Sequence, residues 1–445
     1  MTMNDRDALI KLAISAPRTV EAPADLGEAI FRQIRVTKQE RGLVRLGRLG
    51  WVRRLTPALV TVALLVLLAL VVIAIGSRPP QRPHLLSEYH GGPDRTGIMV
   101  GPGPRGVPVL AWDVTRPGPL PFTTMPLVQD GRVYVADGSG TVAALDAATG
   151  RTLWEYSTGS PARGAPALLR DLLILGTDAG HVIALSIADG APAWDQAIGS
   201  APISASVLEA DGQIYVGNAD GTFVALDGRT GARLWAADVG GSVTRGAALA
   251  DGVVYVGATG GRFSALDATT GRDRWRVELG PGEEGTPVVG PGAVFVGRGL
   301  LAPDGPHDVV ALDRADGTTR WTFPAPSGRQ VLPGALANGL LYGVSDDGSI
   351  YALDPASGVL QWTVAAAAAQ LGTLGAIVGN VLYVTTADRN VQAFDATTGA
   401  HLWTVDVVGV PTQAAVVDGS LFLGTSLGHV YALRDPALGS TPAGS

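Results

Sequence analysis

The sequence predicts an all-β molecule, an eight-bladed β-propeller of four-stranded antiparallel blades closed by strands from both chain ends, preceded by one transmembrane helix and a short helical cytosolic segment. Three observations predict it. A stretch of the form A-x-D-x-x-x-G-x-x-x-W, typified by residues 265–275, recurs seven times. Its tryptophans, at 154, 194, 235, 275, 321, 362 and 403, lie 40, 41, 40, 46, 41 and 41 residues apart. A period near forty that carries strands rather than helices is that of a propeller blade. Finally, the ends of the repeat hold complementary parts of one further unit. Trp112, 42 residues before Trp154, stands on a strand at 109–113 with no three strands before it. After Trp403, residues 411–417, 421–424 and 428–433 supply three strands and no tryptophan. Joining the two parts completes an eighth blade and removes sheet edges that would otherwise recruit other chains.

Each part of the repeat has a mechanical reason. Residues 262–266 alternate as a strand with one buried face does. Asp267 can accept backbone N–H groups of the following turn, and Gly271 can take a positive φ to close it. Trp275 then sits on the returning strand, where burying an indole removes ~150–250 Å² from water. In the first whole unit the strands are expected at 124–128, 132–136, 141–145 and 152–156, separated by Asp130-Gly131 and two further turns. The fifth unit inserts residues 298–307 between its middle strands, which accounts for the 46-residue interval.

Composition divides the chain into two compartments. Residues 1–55 hold 11 Lys+Arg against 6 Asp+Glu, net +5, whereas residues 56–445 hold 22 against 34, net −12. Both lysines, Lys11 and Lys38, lie in the first segment. A lysine-free, acidic remainder excludes polyanion and nucleic-acid binding as its main task. With no cysteine, disulfides, thiolate metal sites, thiol catalysis and cysteine lipidation are excluded. In the basic segment, Leu26, Ile30 and Ile34 fall on one helical face behind a Pro23 start.

Residues 57–76 run without a charge, and at ~1.5 Å per residue they cross the ~30 Å hydrocarbon layer. Trp51, Arg53 and Arg54 suit the inner interface, which places the N-terminus in the cytoplasm and the repeat outside, on a single-pass cell-membrane anchor. A cleaved signal peptide fits less well, because the apolar run and its leader are too long. The expected organisation is therefore a basic cytosolic segment (1–55), a membrane helix (56–76), a Pro-rich linker (77–87), the propeller (88–435) and a disordered tail (436–445).

The repeat, the lead-in at residues 90–97 (His-Gly-Gly-Pro-Asp-Arg-Thr-Gly) and the closing strand with Trp112 resemble the quinoprotein-type, or PQQ-like, eight-bladed propellers. The resemblance implies that Trp and Gly of the motif dock adjacent blades. The residues concerned are Trp112, Trp154, Trp194, Trp235, Trp275, Trp321, Trp362 and Trp403, with Gly150, Gly231, Gly271 and Gly399. Two positions depart from the motif: Ser186 replaces its Asp in the second unit, and Arg434 stands where it ends. That family holds pyrroloquinoline quinone dehydrogenases and also non-catalytic propellers, such as the lipoprotein of the outer-membrane β-barrel assembly machinery.

The dehydrogenases in such a family build a funnel over the quinone from long insertions, but six of the seven units here are 40–42 residues long. The acids Glu283-Glu284 and Asp346-Asp347 lie at turn-like positions beside glycine, and the six histidines show no metal spacing. The expectation is a non-enzymatic protein- or ligand-binding module without cofactor or metal, near the assembly-machinery branch. The alternatives are a quinone-dependent dehydrogenase using pyrroloquinoline quinone with Ca²⁺, and a transmembrane sensor whose residues 1–55 recruit a cytosolic partner, as anti-sigma regulators do. Residues entering the innermost strands, Thr124, Arg163, Arg245, Glu284, Thr373 and Thr412, are expected at one channel mouth, where arginine and acid would suit a small anion or peptide.

Overall fold

A computed structural model describes residues 89–438, except 100, 117–121, 123, 325 and 367–372. The expected membrane helix, its linker and the basic segment lie outside the described residues. Among the described residues no helix is long and apolar enough to cross a membrane. Eight four-stranded antiparallel sheets follow one another along the chain.

The first strand, β1 (Val109–Thr115), stands apart from those that follow it. The first continuous blade is β2 (Leu127–Gln129), β3 (Arg132–Ala136), β4 (Thr141–Asp146) and β5 (Thr152–Ser157), paired in that order. The innermost strand is shorter than the expected 124–128, because only the half nearest the Asp130-Gly131 turn pairs with β3. That turn places φ at 51° for Asp130 and 71° for Gly131. Two successive positive φ values make the two-residue hairpin whose twist matches the strands it joins.

Six more blades repeat this order through β29 (His401–Asp406). The last blade pairs β30 (Ala415–Val417), β31 (Ser420–Gly424) and β32 (His429–Arg434) with β1. Along that seam Trp112 faces Ala432, Asp113 faces Tyr431 and Thr115 faces His429. The chain then makes a 3₁₀ turn at Pro436–Leu438, where a disordered tail was expected.

One expectation is corrected throughout. The strand Arg262–Asp267 was read as having a single buried face, yet its four central residues are all buried. The same holds for the third strand of almost every blade, because each sheet is packed between two neighbouring sheets. Only the outermost strands alternate, as in Asp273–Glu278, where Trp275 is the buried member.

The lead-in closes the channel. Equivalent N–H groups on the innermost strands of four successive blades donate to it: Leu249 to Pro93 O (2.7 Å), Val289 to Asp94 O (2.9 Å), Leu336 to Thr96 O (2.8 Å) and Ile377 to Gly97 O (2.9 Å). The next blade continues the walk with Val416 N on the Met99 sulfur at 3.2 Å. Arg95, fully buried, spans to the remaining side, donating Nε to Ala247 O (3.0 Å), Nη2 to Val207 O (3.1 Å) and Nη1 to Tyr89 O. Backbone donors that would otherwise be orphaned at the axis are thereby satisfied.

Candidate functional site

Each indole meets the turn of the following unit, not of its own. Trp235 Nε1 donates to Ala268 O at 2.9 Å, and a Cβ on Gly271 would lie 2.5 Å from its Cε3. Gly271 has φ +70°, so both its conformation and its contact require glycine. Gly150, Gly190, Gly231, Gly317, Gly358 and Gly399 lie against Trp112, Trp154, Trp194, Trp275, Trp321 and Trp362 in the same manner. The Asp builds that turn: Asp267 Oδ1 accepts from Thr269 N (3.2 Å), Thr270 N (3.0 Å) and Thr270 Oγ1 (2.9 Å).

The seam departs from this rule. Trp403 Nε1 donates to Pro104 O at 3.2 Å, so the stretch between the lead-in and β1 stands where the eighth unit has no motif turn. Arg434 replaces the Asp and reaches forward, donating to Ala147 O (3.0 Å) beside the Trp112 contact. At Trp362, Tyr342 takes the corresponding carbonyl, of Ala396, and Trp362 Nε1 meets no acceptor among the described residues. The sequence reading missed the tyrosines of the second strands. Tyr134, Tyr215, Tyr255, Tyr342 and Tyr383 each lie 5.9–6.1 Å, ring to ring, from their own blade's tryptophan.

The end of the channel opposite the Asp-Gly turns opens as a cavity of about 350 Å³. Four of the predicted mouth residues, Thr124, Arg163, Arg245 and Thr412, line it together. Sequence reasoning missed Tyr89, Ser206, Thr244, Thr286 and Gln413, which add hydroxyls and an amide to the same wall. Thr373 lies on a described strand, but its side chain is outside the described residues. Glu284 is corrected. It is 2% exposed, stands behind the lining with its Cβ side against Gly257, and neither carboxylate oxygen has a hydrogen-bond partner among the described residues. Burial pushes its pKa up to about 8, with Arg298 lowering it and Asp308 raising it.

Its neighbour Glu283 is the acid that reaches the mouth, accepting from Thr244 Oγ1 at 3.1 Å and lying 3.6 Å from Arg245 Nε. Glu283 also bridges to Leu300, so the 298–307 insertion rises beside the mouth. Its roots are held by Arg298 and Asp308 at 2.6 and 2.7 Å. Arg163 is tied to Asp178 at 2.7 Å. A smaller space of about 120 Å³ continues below, sharing Tyr89, Arg245 and Thr286, with His90 at its side. His90 Nδ1 lies 2.8 Å from Gly334 O, and burial lowers its pKa to about 4, so the ring is neutral at pH 7.

The lining carries two guanidinium groups and hydroxyls, with the Asp178 carboxylate on Arg163 and the Glu283 carboxylate beside Arg245 and Thr244. Such donors suit an anion or a carboxylate. The quinone implied by the resemblance would find cations for its acid groups here, while the Glu283 carboxylate beside the wall is already engaged by Thr244 and Arg245. Among the described residues no three His, Asp or Glu converge on a metal position. Asp347, one of the sequence candidates, accepts from Ser349 N at 2.9 Å as a turn residue.

The model of a family described as outer membrane protein assembly factor BamB matches residues 109–246, 219–327 and 305–440. The structure of BamB from Moraxella catarrhalis superposes with a TM-score of 0.59 at 21% identity, covering 74% of this chain and all of that one. Quinohemoprotein alcohol dehydrogenase from Comamonas testosteroni gives 0.61 at 18% identity, covering 81% of this chain and 82% of that one. A 1-butanol dehydrogenase (cytochrome c) from Thauera butanivorans is 25% identical over 126 residues, which span 28% of this chain and only 14% of the dehydrogenase. Both BamB and quinohemoprotein alcohol dehydrogenase thus share this fold.

Proposed function

The chain belongs to the family described as outer membrane protein assembly factor BamB, and on that premise we propose that it is a membrane-anchored, extracytoplasmic propeller that binds a protein partner and performs no chemistry. The observation that carries this reading is the mouth, where Arg163, paired to Asp178, and Arg245, beside Glu283, stand among hydroxyls. That set suits an acidic or carboxylate-bearing group of a partner. Blades of nearly equal length leave one insertion, at 298–307, to build upon the mouth. The uncharged run at 57–76, with Trp51, Arg53 and Arg54 before it, supports the anchor and its orientation.

The decisive experiment is crosslinking in intact cells from a photoreactive residue at Thr412, read by mass spectrometry. A discrete protein partner, lost in an Arg163→Glu/Arg245→Glu variant, is expected. A protein that instead gains bound-quinone absorbance and reduces dye with an alcohol, after incubation with pyrroloquinoline quinone and Ca²⁺, is a dehydrogenase and ends this reading. The +5 charge of residues 1–55 favours one extension, a cytosolic partner for that segment. A pull-down with residues 1–55 that recovers nothing above background removes it.

A further inference from the structure

The mouth cavity and the smaller space below it differ in chemistry and meet at one cation. The upper cavity, of about 350 Å³, presents the hydroxyls and amide of Ser206, Thr244, Thr286, Thr412 and Gln413. The lower space, of about 120 Å³, is walled chiefly by Leu300, Leu332, Pro333 and Val344. Leu300 comes from the 298–307 insertion and is held by two backbone hydrogen bonds with Glu283, at 2.9 and 3.0 Å. Gly285 lets Leu332 into this wall, because a Cβ there would lie 3.2 Å from Leu332 Cδ2. His90 stands at the side of the lower space and, being neutral at pH 7, brings no charge to it. Arg245 is the cation shared by both spaces.

That cation is loosely engaged. Arg245 Nε is buried without a hydrogen-bond acceptor among the described residues, and Glu283 stands 3.6 Å away, already taken by Thr244 Oγ1. Yet 42% of the Arg245 side chain is exposed at the junction of the two spaces. A guanidinium so placed, above an apolar space, suits a carboxylate with an apolar group beside it. The end of a polypeptide has that geometry, because its terminal carboxylate and its last side chain share one Cα. An Asp or Glu side chain could reach Arg245, but it would leave the apolar space empty. Its main chain would also have to turn back from a channel that the lead-in closes. Resting on the reading of the mouth as a protein-binding site, we propose that the partner presents its C-terminus there. The terminal carboxylate lies on Arg245, an aliphatic last side chain fills the lower space, and the hydroxyls of the upper cavity hydrogen-bond the preceding peptide groups. Chain ends are a recurrent handle for recognition.

The test uses the full chain in detergent and a fluorescein-labelled peptide, Gly-Ser-Gly-Ser-Leu with a free terminal carboxylate, read by anisotropy. Saturable binding that unlabelled N-acetyl-leucine displaces is expected. The same peptide with a terminal amide, and one ending in Gly, are each expected to bind about tenfold more weakly or worse, since each lacks one of the two matched groups. Arg245→Met is expected to abolish binding, and Leu332→Trp, which fills the lower space, to bring the Leu-ended peptide down to the level of the Gly-ended one. Equal binding of acid and amide, equal binding of Leu and Gly ends, or no saturable binding of any peptide overturns the proposal. Acetate that displaces the probe at the concentration N-acetyl-leucine needs marks a plain anion site and overturns it as well. An amide-ended peptide with an internal Glu that binds as tightly as the free Leu end also overturns it, while leaving the broader acidic-partner reading in place. Should Arg245→Met fail to fold, the peptide series on the unaltered protein carries the test by itself. Because none of these readouts uses a cellular partner, their failure is separable from a failed partner search.

Discussion

At the scale of the residue, the indole of Trp275 does three things at once. It buries its face against Gly317, donates Nε1 to Arg314 O at 2.9 Å, and leans on Tyr255 and Phe263 of its own sheet. Trp275→Ala is expected to cost ~3–5 kcal/mol in urea denaturation, because the cavity opens between two sheets that cannot both relax into it. The reciprocal change, Gly271→Ala, forces a side chain into a left-handed φ and into Trp235. A loss of roughly 2–4 kcal/mol is expected from conformation and overpacking together, and an unchanged denaturation midpoint would contradict the docking role. Glu284 gives a pH signature. Its folded pKa, about 8, is above its ordinary value of 4.5, so the folded state binds the proton more tightly. The Glu284 contribution to stability is therefore full below about pH 4.5, declines between 4.5 and 8, and is lost above. Glu284→Gln should flatten that decline and raise the melting temperature at pH 8, checked by melts from pH 5 to 9.

At the scale of the element, the lead-in outweighs its length. Eight residues with no apolar periodicity satisfy the innermost backbone of one blade after another, and Arg95 carries the connection to the rest. Arg95→Met removes a buried cation from three carbonyls and is expected to cost at least ~3 kcal/mol. Hydrogen exchange should then show Leu249, Val289, Leu336 and Ile377 amides losing protection ahead of the outer strands. The resemblance marked residues 90–97 as part of the repeat family, but nothing in them shows that they fill an axis. The register of the acids was also hidden. Glu283 and Glu284 are adjacent in sequence, and the pleat sends one toward Arg245 and the other into the wall against Gly257.

At the scale of the molecule, closure decides solubility. Pairing β1 with β32 covers an outer edge that would otherwise present unpaired N–H and C=O groups. Deleting residues 101–116 should leave seven sheets with native-like circular dichroism and a sticky eighth, and light scattering should report more association than the intact chain shows under the same conditions. The burial of the third strands on both faces belongs to this scale too. No single unit has two apolar neighbours until it is stacked between others.

The sequence by itself determined the period, the strand order within a unit, the number of blades and their completion from both ends. These follow from local turn chemistry and from one large apolar anchor repeated at a fixed interval. Only the tertiary structure decided which glycine receives which indole, that the lead-in runs through the axis, and which of the candidate polar residues converge on one mouth. Those facts depend on contacts between residues tens to hundreds of positions apart. Spacing along the chain carries no record of such contacts until the ring has closed.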